Sequence, residues 1–356
     1  MDRGGAETMI MNYYRAIDRS KIQFDFVVNT TDKCAFDDEI ESMGGLIFRF
    51  PRLNGINLLS YQKTWKNFFK AYSDYKIIHV HFFKIAGAIL PIAKSYSIPV
   101  RIVHMHTAHP NYTLHRKLAY EFLRFYANKT MTHAFACGKD AGYCFFGKRQ
   151  FELLNNAIDA EKFKFNFSRR TKIRNGLGLE DKFVVGHIGR FISLKNHTFI
   201  VGIFKKISKL NEKAILLLVG DGPLRHEIKD KVDGLGLQDK VKFVGVRADI
   251  PDLLQAMDVF LFPSFLEGLP VTVVEAQAAG LQVIASDTIT KEVNITDLVQ
   301  NYSLNEPPSI WAEAINSYAK GYIRKDTYSQ IVNAGYDIEI NAKWLENFYE
   351  NALKNG

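Results

Sequence analysis

Residues 263–280 read Pro263-Ser-Phe-Leu-Glu267-Gly-Leu-Pro270-Val-Thr-Val-Val-Glu275-Ala-Gln-Ala-Ala-Gly280. The run that leads into them, Asp258-Val-Phe-Leu-Phe-Pro263, is a short apolar stretch of the kind that makes a buried strand. Pro270, with a fixed φ and no N–H to lose, suits the first turn of a helix. The result is a strand–turn–helix unit with Glu267 on the turn and Glu275 inside the helix. The start of such a helix directs unpaired N–H groups and the positive end of its dipole at the turn, so a diphosphate can dock there without a metal ion. The amides available are those of Gly268, Leu269 and Val271, since Pro270 has none. The two carboxylates can then bond different hydroxyls of one ligand carrying both sugar and diphosphate. The plainer alternative for Glu275 is a glutamate that only complements the helix dipole.

Outward from this unit, strand-like and helical runs alternate along the whole chain, the pattern of parallel sheets covered on both faces. Strands are expected near 24–28, 46–50, 77–81, 100–106 and 134–137, and again near 183–188, 214–219, 241–244, 259–262 and 283–286. These are two βα series, with residues 163–172 reading as the connector. At 356 residues the chain suits two domains. Residues 338–353 are amphipathic, with Trp344, Leu345, Phe348 and Tyr349 in register.

Six segments, in order over nearly the whole chain, resemble the retaining glycosyltransferases of family 4. Residues 263–280 resemble the E-x7-E signature of that family. Gly186-His-Ile-Gly-Arg190-Phe-Ile-Ser-Leu-Lys195 resembles its basic diphosphate-binding pair, and Val219-Gly-Asp-Gly-Pro223 the turn after its next strand. Asn155-Asn-Ala-Ile-Asp159 is similar to the segment closing its first domain, Arg101-Ile-Val-His-Met-His106 to the strand ending in its active-site histidine, and Gly4-Gly5-Ala-Glu7 to its first glycine loop. The nearest branch is that of bacterial capsular and exopolysaccharide enzymes.

The resemblance implies an α/β chain of GT-B fold, two facing Rossmann-like domains with a C-terminal helix crossing back to the first. It implies an acceptor domain over 1–165, a nucleotide-sugar domain over 166–336 and the crossing helix over 337–356. Glu267 and His106 would be catalytic, both contacting the donor sugar. Arg190 and Lys195 would neutralise the departing diphosphate, by a forked guanidinium and a point charge. Gly268, Leu269 and Val271 would add amides, Glu275 would bond the ribose, and Gly4 and Gly5 would approach the phosphates. No cofactor is implied beyond the co-substrate, a uridine or guanosine diphosphate sugar with uridine preferred; the acceptor would be a glycan, lipid-linked in the preferred reading. One departure stands out. The family has a hydrophobic strand before its Gly-Gly loop, whereas Gly4 follows Met1-Asp2-Arg3. Either a natural start lies further upstream, or the domain is repaired in another way; an unrepaired gap would cost about 1–3 kcal/mol for each buried unsatisfied backbone group.

Charge is unevenly spread. Residues 1–165 hold 23 Lys and Arg against 15 Asp and Glu, which accounts for the whole formal excess of +8. On a helix, Trp65, Phe68, Phe69 and Tyr72 share one face flanked by Lys63, Lys66 and Lys70. That describes either a surface resting on anionic lipid or the core face of an ordinary helix. For the domain as a whole, a membrane or an anionic acceptor is the expected partner, and nucleic acid is not, because no basic-aromatic recognition motif is present. The longest apolar run, 85–93, is too short to span a bilayer, no signal peptide is visible, and the reading is a cytoplasmic chain, peripheral at the inner face of the plasma membrane. Three cysteines without C-x-x-C spacing argue against both a disulfide framework and a zinc site. The lack of any D-x-D argues against metal-dependent sugar transfer.

Two further readings compete: a non-catalytic sugar-nucleotide-binding or scaffold subunit, and a metal hydrolase. The latter rests on two H-x-H pairs of ligand type, His79-Val-His81 and His104-Met-His106, with His109 nearby. Alternation along each strand is expected to set His79 and His81 on one face and His104 and His106 on another.

Overall fold

The computed structural model describes residues 1, 4–54, 56–106 and 114–355, without the side chains of 114–117 and 119. Asp2, Arg3 and His109 lie outside them. The chain forms two compact units, one of Met1–Ile158 with Asp337–Gly356 and one of Asp159–Tyr336.

All ten expected strands are present: β1 Phe26–Val28, β2 Ile47–Arg49, β3 Ile77–Val80, β4 Val100–Met105 and β5 His133–Ala136 in the first unit, and, in the second, β7 Phe183–Ile188, β8 Ala214–Val219, β9 Val241–Phe243, β10 Val259–Phe262 and β11 Gln282–Ser286. Two more were not expected, β6 Glu152–Leu153 and β12 Val299–Tyr302, which are edge strands with no fully buried residue.

The second unit has one parallel sheet in the order β12-β11-β10-β7-β8-β9. Every residue of β7, β8 and β10 is buried, as strands covered by helices on both faces must be. The chain runs outward through β7, β8 and β9, then restarts at β10 on the other side of β7. That reversal places the loops after β7 and β10 side by side at the carboxyl edge, where open α/β sheets bind ligands. The stretch expected as a connector belongs to this unit. Asn166 caps the helix Phe167–Leu177, accepting from the Arg169 N–H, and Arg170 and Arg174 reach Asp258 at 2.6 and 3.3 Å.

In the first unit the strands fall into two parallel sheets, β1-β2 and β3-β4-β5-β6. Among the described residues no strand joins them, and the chain enters its first helix, Gly5–Ala16, directly after Gly4. One apolar core nevertheless serves both sheets, drawing Met9, Tyr13, Phe26, Ile102 and Phe135 together with Leu345 and Tyr349 of the C-terminal helix Ile338–Lys354.

The helix Leu58–Ala71 buries its aromatic face. Tyr61, Trp65 and Phe69 are almost fully covered, and Trp65 and Phe68 meet Phe50 and Phe48 edge-on at 5.0 and 4.9 Å. The core-face reading therefore holds for this helix. The exposed apolar face lies on the helix Leu114–Thr130, where Leu118, Phe122, Phe125 and Tyr126 are 68, 58, 59 and 37% exposed. Its other side packs closely on the helix Phe83–Ser95, because Gly87 has no Cβ; one there would sit 2.2 Å from the Leu123 carbonyl oxygen. Among the described residues no helix is long and apolar enough to cross a membrane.

Candidate active site

Lys195 and Glu267 meet. The Lys195 ammonium donates to Glu267 Oε1 at 2.6 Å, both side chains are largely buried, and the ammonium lies 4.9 Å from the Phe262 ring centroid. The pairing depends on how the two loops are tied. The Phe265 N–H donates to the Leu194 carbonyl at 2.9 Å, and Asn196 Nδ2 donates to the Pro263 carbonyl at 3.2 Å. Asn196 sits at φ 55°, a left-handed conformation that asparagine tolerates, and this turns the chain from the short 3-10 helix Ser193–Lys195 into the helix His197–Leu210. The loop after β10 is held from its other side, where the Ser286 and Thr288 hydroxyls donate to the Ser264 carbonyl.

A third loop supports the first. The Phe191 N–H donates to the Asp221 carbonyl at 2.9 Å, and Gly220, at φ 132°, lies so close that a Cβ would come within 2.1 Å of the Gly189 carbonyl oxygen. Only glycine allows that approach in that conformation. The matched Val219-Gly-Asp-Gly-Pro223 turn thus braces the Arg190 loop. Arg190 itself is exposed and makes no ion pair among the described residues.

Helix Val271–Ala278 starts with Pro270 as its cap, one position earlier than a first-turn proline. The backbone N–H groups of Gly268, Leu269 and Val271 donate no hydrogen bond among the described residues, so the loop presents three free amides beside a helix start. Glu275 lies in the second turn. Burial raises its pKa to about 7, and no partner offsets that among the described residues. A shielded carboxylate without a donor is poised to accept hydroxyl hydrogen bonds.

The remaining expected residues belong to the first unit. Gly4 caps the helix Gly5–Ala16, and the Glu7 side chain folds back over it. His106 follows β4 directly. Its Nε2 lies 2.9 Å from His81 Nδ1, and burial lowers its pKa to about 4, with Asn156 pulling the other way, so the ring is neutral at pH 7. The expected separation of the histidine faces is overturned. His79 pairs with Ile102 across β3 and β4, so His104, two residues on, shares the face of His79 and His81, and the four rings stack. The sequence reading missed Asn196, Phe262 and Ser264; a left-handed asparagine before a helix was the one readable signal, and the other two look like ordinary core and loop.

Two Rossmann-like units in one chain, both built of parallel strands alternating with helices, are the architecture of the GT-B glycosyltransferases. The chain belongs to glycosyltransferase family 4. The sequence pattern of Glycosyltransferase Family 4 matches residues 3–137, and that of Glycosyl transferases group 1 matches residues 169–337. Among relatives, a Bacillus subtilis (strain 168) protein named as a glycosyltransferase, EpsF, is 38% identical over 98% of this chain and 94% of its own. An Escherichia coli UDP-Gal:alpha-D-GlcNAc-diphosphoundecaprenol alpha-1,3-galactosyltransferase is 27% identical over 74% of this chain and 72% of its own. Among solved structures, Anabaena HepE in complex with UDP-glucose superimposes with a TM-score of 0.79 at 19% identity, over 98% of this chain and 97% of that one. The last is a likeness of fold.

Proposed function

We propose that the chain is a retaining glycosyltransferase that moves a sugar from a UDP-sugar to a lipid-linked glycan in bacterial surface polysaccharide synthesis, without a divalent cation at the diphosphate. The observation that carries this reading is the Lys195–Glu267 pair beside the free amides of Gly268, Leu269 and Val271, at the strand reversal of the second unit. The amides and the Lys195 and Arg190 cations take the diphosphate, Glu275 the ribose, and Glu267 the sugar hydroxyls. For the first unit the family resemblance alone assigns Gly4 and Gly5 to the phosphates and His106, a neutral imidazole, to the sugar.

In the reaction the bond from the anomeric carbon to the diphosphate oxygen breaks, and the acceptor oxygen bonds that carbon on the same face. The acceptor proton passes to the departing phosphate oxygen. Catalysis then rests on positioning and on stabilising the leaving group. Lys195 must let go of Glu267 as the diphosphate arrives, which frees the carboxylate for the sugar. Support for uridine and for a lipid-linked acceptor comes from the E. coli relative, whose name gives UDP-Gal and a diphosphoundecaprenol acceptor. The exposed apolar face of the helix Leu114–Thr130, on the basic first unit, suits an anionic membrane at the cytoplasmic side.

The test is transfer from a panel of UDP-sugars to a diphosphoundecaprenol-linked sugar, with the product anomer read by NMR. An unchanged anomeric configuration, and a rate within about twofold with or without added magnesium or manganese, is expected; inversion or strict dependence on either ion would overturn the mechanism. Tight UDP binding without transfer would favour a non-catalytic nucleotide-sugar-binding subunit.

A further inference from the structure

Of the four stacked histidines of the first unit, His79, His81 and His104 have no role in the proposed donor site. His79, His81 and His104 offer ligating nitrogens that all lie within 4.8 Å of one another. His104 is fully buried with neither ring nitrogen in a hydrogen bond of normal geometry, its contact with the Leu154 backbone being a weak one, and His79 Nε2 is likewise buried and unpartnered. Buried polar atoms in a native protein nearly always have a partner, so three orphans on one side of one sheet point to something that fills the space between them.

The neighbours are compatible with the tautomers a ligand site needs. His79 Nδ1 lies 2.7 Å from the Tyr349 hydroxyl and His81 Nδ1 lies 2.9 Å from His106 Nε2. With both Nδ1 atoms protonated and donating, the two Nε2 atoms keep their lone pairs, which is the outer-shell arrangement that orients metal-bound imidazoles. Burial also keeps all three rings uncharged. His79 and His81 are half-buried, and β3 is an edge strand among the described residues.

We propose that His79, His81 and His104 form a zinc-type metal site that fastens β3 to β4 and steadies the first unit. Three imidazoles suit zinc and its borderline neighbours among divalent transition metals, not magnesium or calcium. A tetrahedral ion with bonds of about 2.0–2.1 Å holds its nitrogens about 3.3 Å apart, so the rings close on it by side-chain rotation, with the backbone pairing of β3 and β4 unchanged. A water completes the fourth position.

The full chain, prepared without a polyhistidine tag and stripped by chelator, is titrated with cobalt and then zinc. One cobalt per chain with the visible absorption of a four-coordinate ion, its displacement by zinc, and a higher thermal midpoint with zinc are expected. His104→Leu should lose all three, and His226→Ala, a change at an exposed residue of the second unit, should keep them. Should His104→Leu fail to fold, His79→Gln reads the same signals from a half-buried position. No stoichiometric uptake by the unaltered chain, or uptake undiminished in the folded variant, would overturn the site.

Discussion

The two units share an alternation of strand and helix and differ in how firmly it is closed. In the second, six strands form one sheet and the loops at its carboxyl edge are bonded to one another through backbone and short side chains. Two of its charged clusters are also satisfied: Asp258 takes Arg170, Arg174 and the Val184 N–H, while the Arg324 guanidinium, pushed down to about 10 by burial, is spread over the Leu254, Gln255, Met257 and Ala279 carbonyls. In the first unit two sheets share a core, neutral imidazoles stack where charges would otherwise need partners, and an aromatic face is left in solvent. The contrast teaches that a diphosphate site needs loops fixed before the ligand arrives, since donors aimed in advance need no reorganisation during the reaction.

The sharpest way to break the comparison is at Glu267 and Lys195. Glu267→Ala should lower turnover by about 10²–10³ or more, yet leave UDP affinity equal or tighter because it frees Lys195. Lys195→Ala should weaken UDP about tenfold or more, the loss of a charge-assisted contact, while uridine binding stays nearly constant. Calorimetric titration with both ligands decides; equal losses for UDP and uridine would remove the phosphate contact.

The matched-charge half of the argument stands on Asp258. Asp258→Asn leaves two arginines without a counter-charge in a largely buried place, and such breaks cost about 3 kcal/mol or more. Denaturant unfolding should show that loss at unchanged slope. A change below about 0.5 kcal/mol, the size of an ordinary surface substitution, would mean that the arginines are held by the carbonyls alone.

Glu275 offers a smaller effect with a pH signature. Its folded pKa of about 7 lies above the ordinary carboxylate value, so the folded state holds the proton more tightly. The resulting contribution favours folding relative to the charged form only while the group is protonated; the penalty grows as pH rises from the unfolded value through about 7 and is complete above it. Glu275→Gln should therefore match the unaltered chain near pH 4.5 and exceed it by about 1–2 kcal/mol at pH 8, part of the full linkage value because the side chain is only half-buried. Parallel stability curves would show that a partner compensates the carboxylate.

How much of this was readable depended on range. β8 and β10 are continuous apolar runs, and β7 is one broken only at Gly186 and His187, so their bounds follow from composition alone. Lys195 and Glu267 could each be placed after a strand, but their contact joins residues 72 apart and exists only because β10 lies next to β7. Alternation correctly groups His79 with His81 and His104 with His106. It is silent on whether the pairs share a face, which the register of His79 against Ile102 decides. Trp65 and its neighbours show the same limit, because a helix that covers a core and one that rests on lipid carry the same periodicity.

That ambiguity returns in the smallest predicted effect. The lysines at 63, 66 and 70 flank a face that is already covered, whereas Phe122 and Phe125 stand in solvent on the helix Leu114–Thr130, with the Lys129 ammonium 5.8 Å from the Phe125 ring centroid. Phe122→Ser with Phe125→Ser removes exposed apolar surface and little packing, so stability should stay within about 0.5 kcal/mol. Binding to vesicles containing anionic lipid, measured by co-sedimentation, should fall severalfold for this pair and less for neutralised Lys63, Lys66 and Lys70, whose effect is long-range and fades with salt. If the lysine variant loses more than the phenylalanine pair, the surface is electrostatic and not inserted, and the exposed aromatics need another partner.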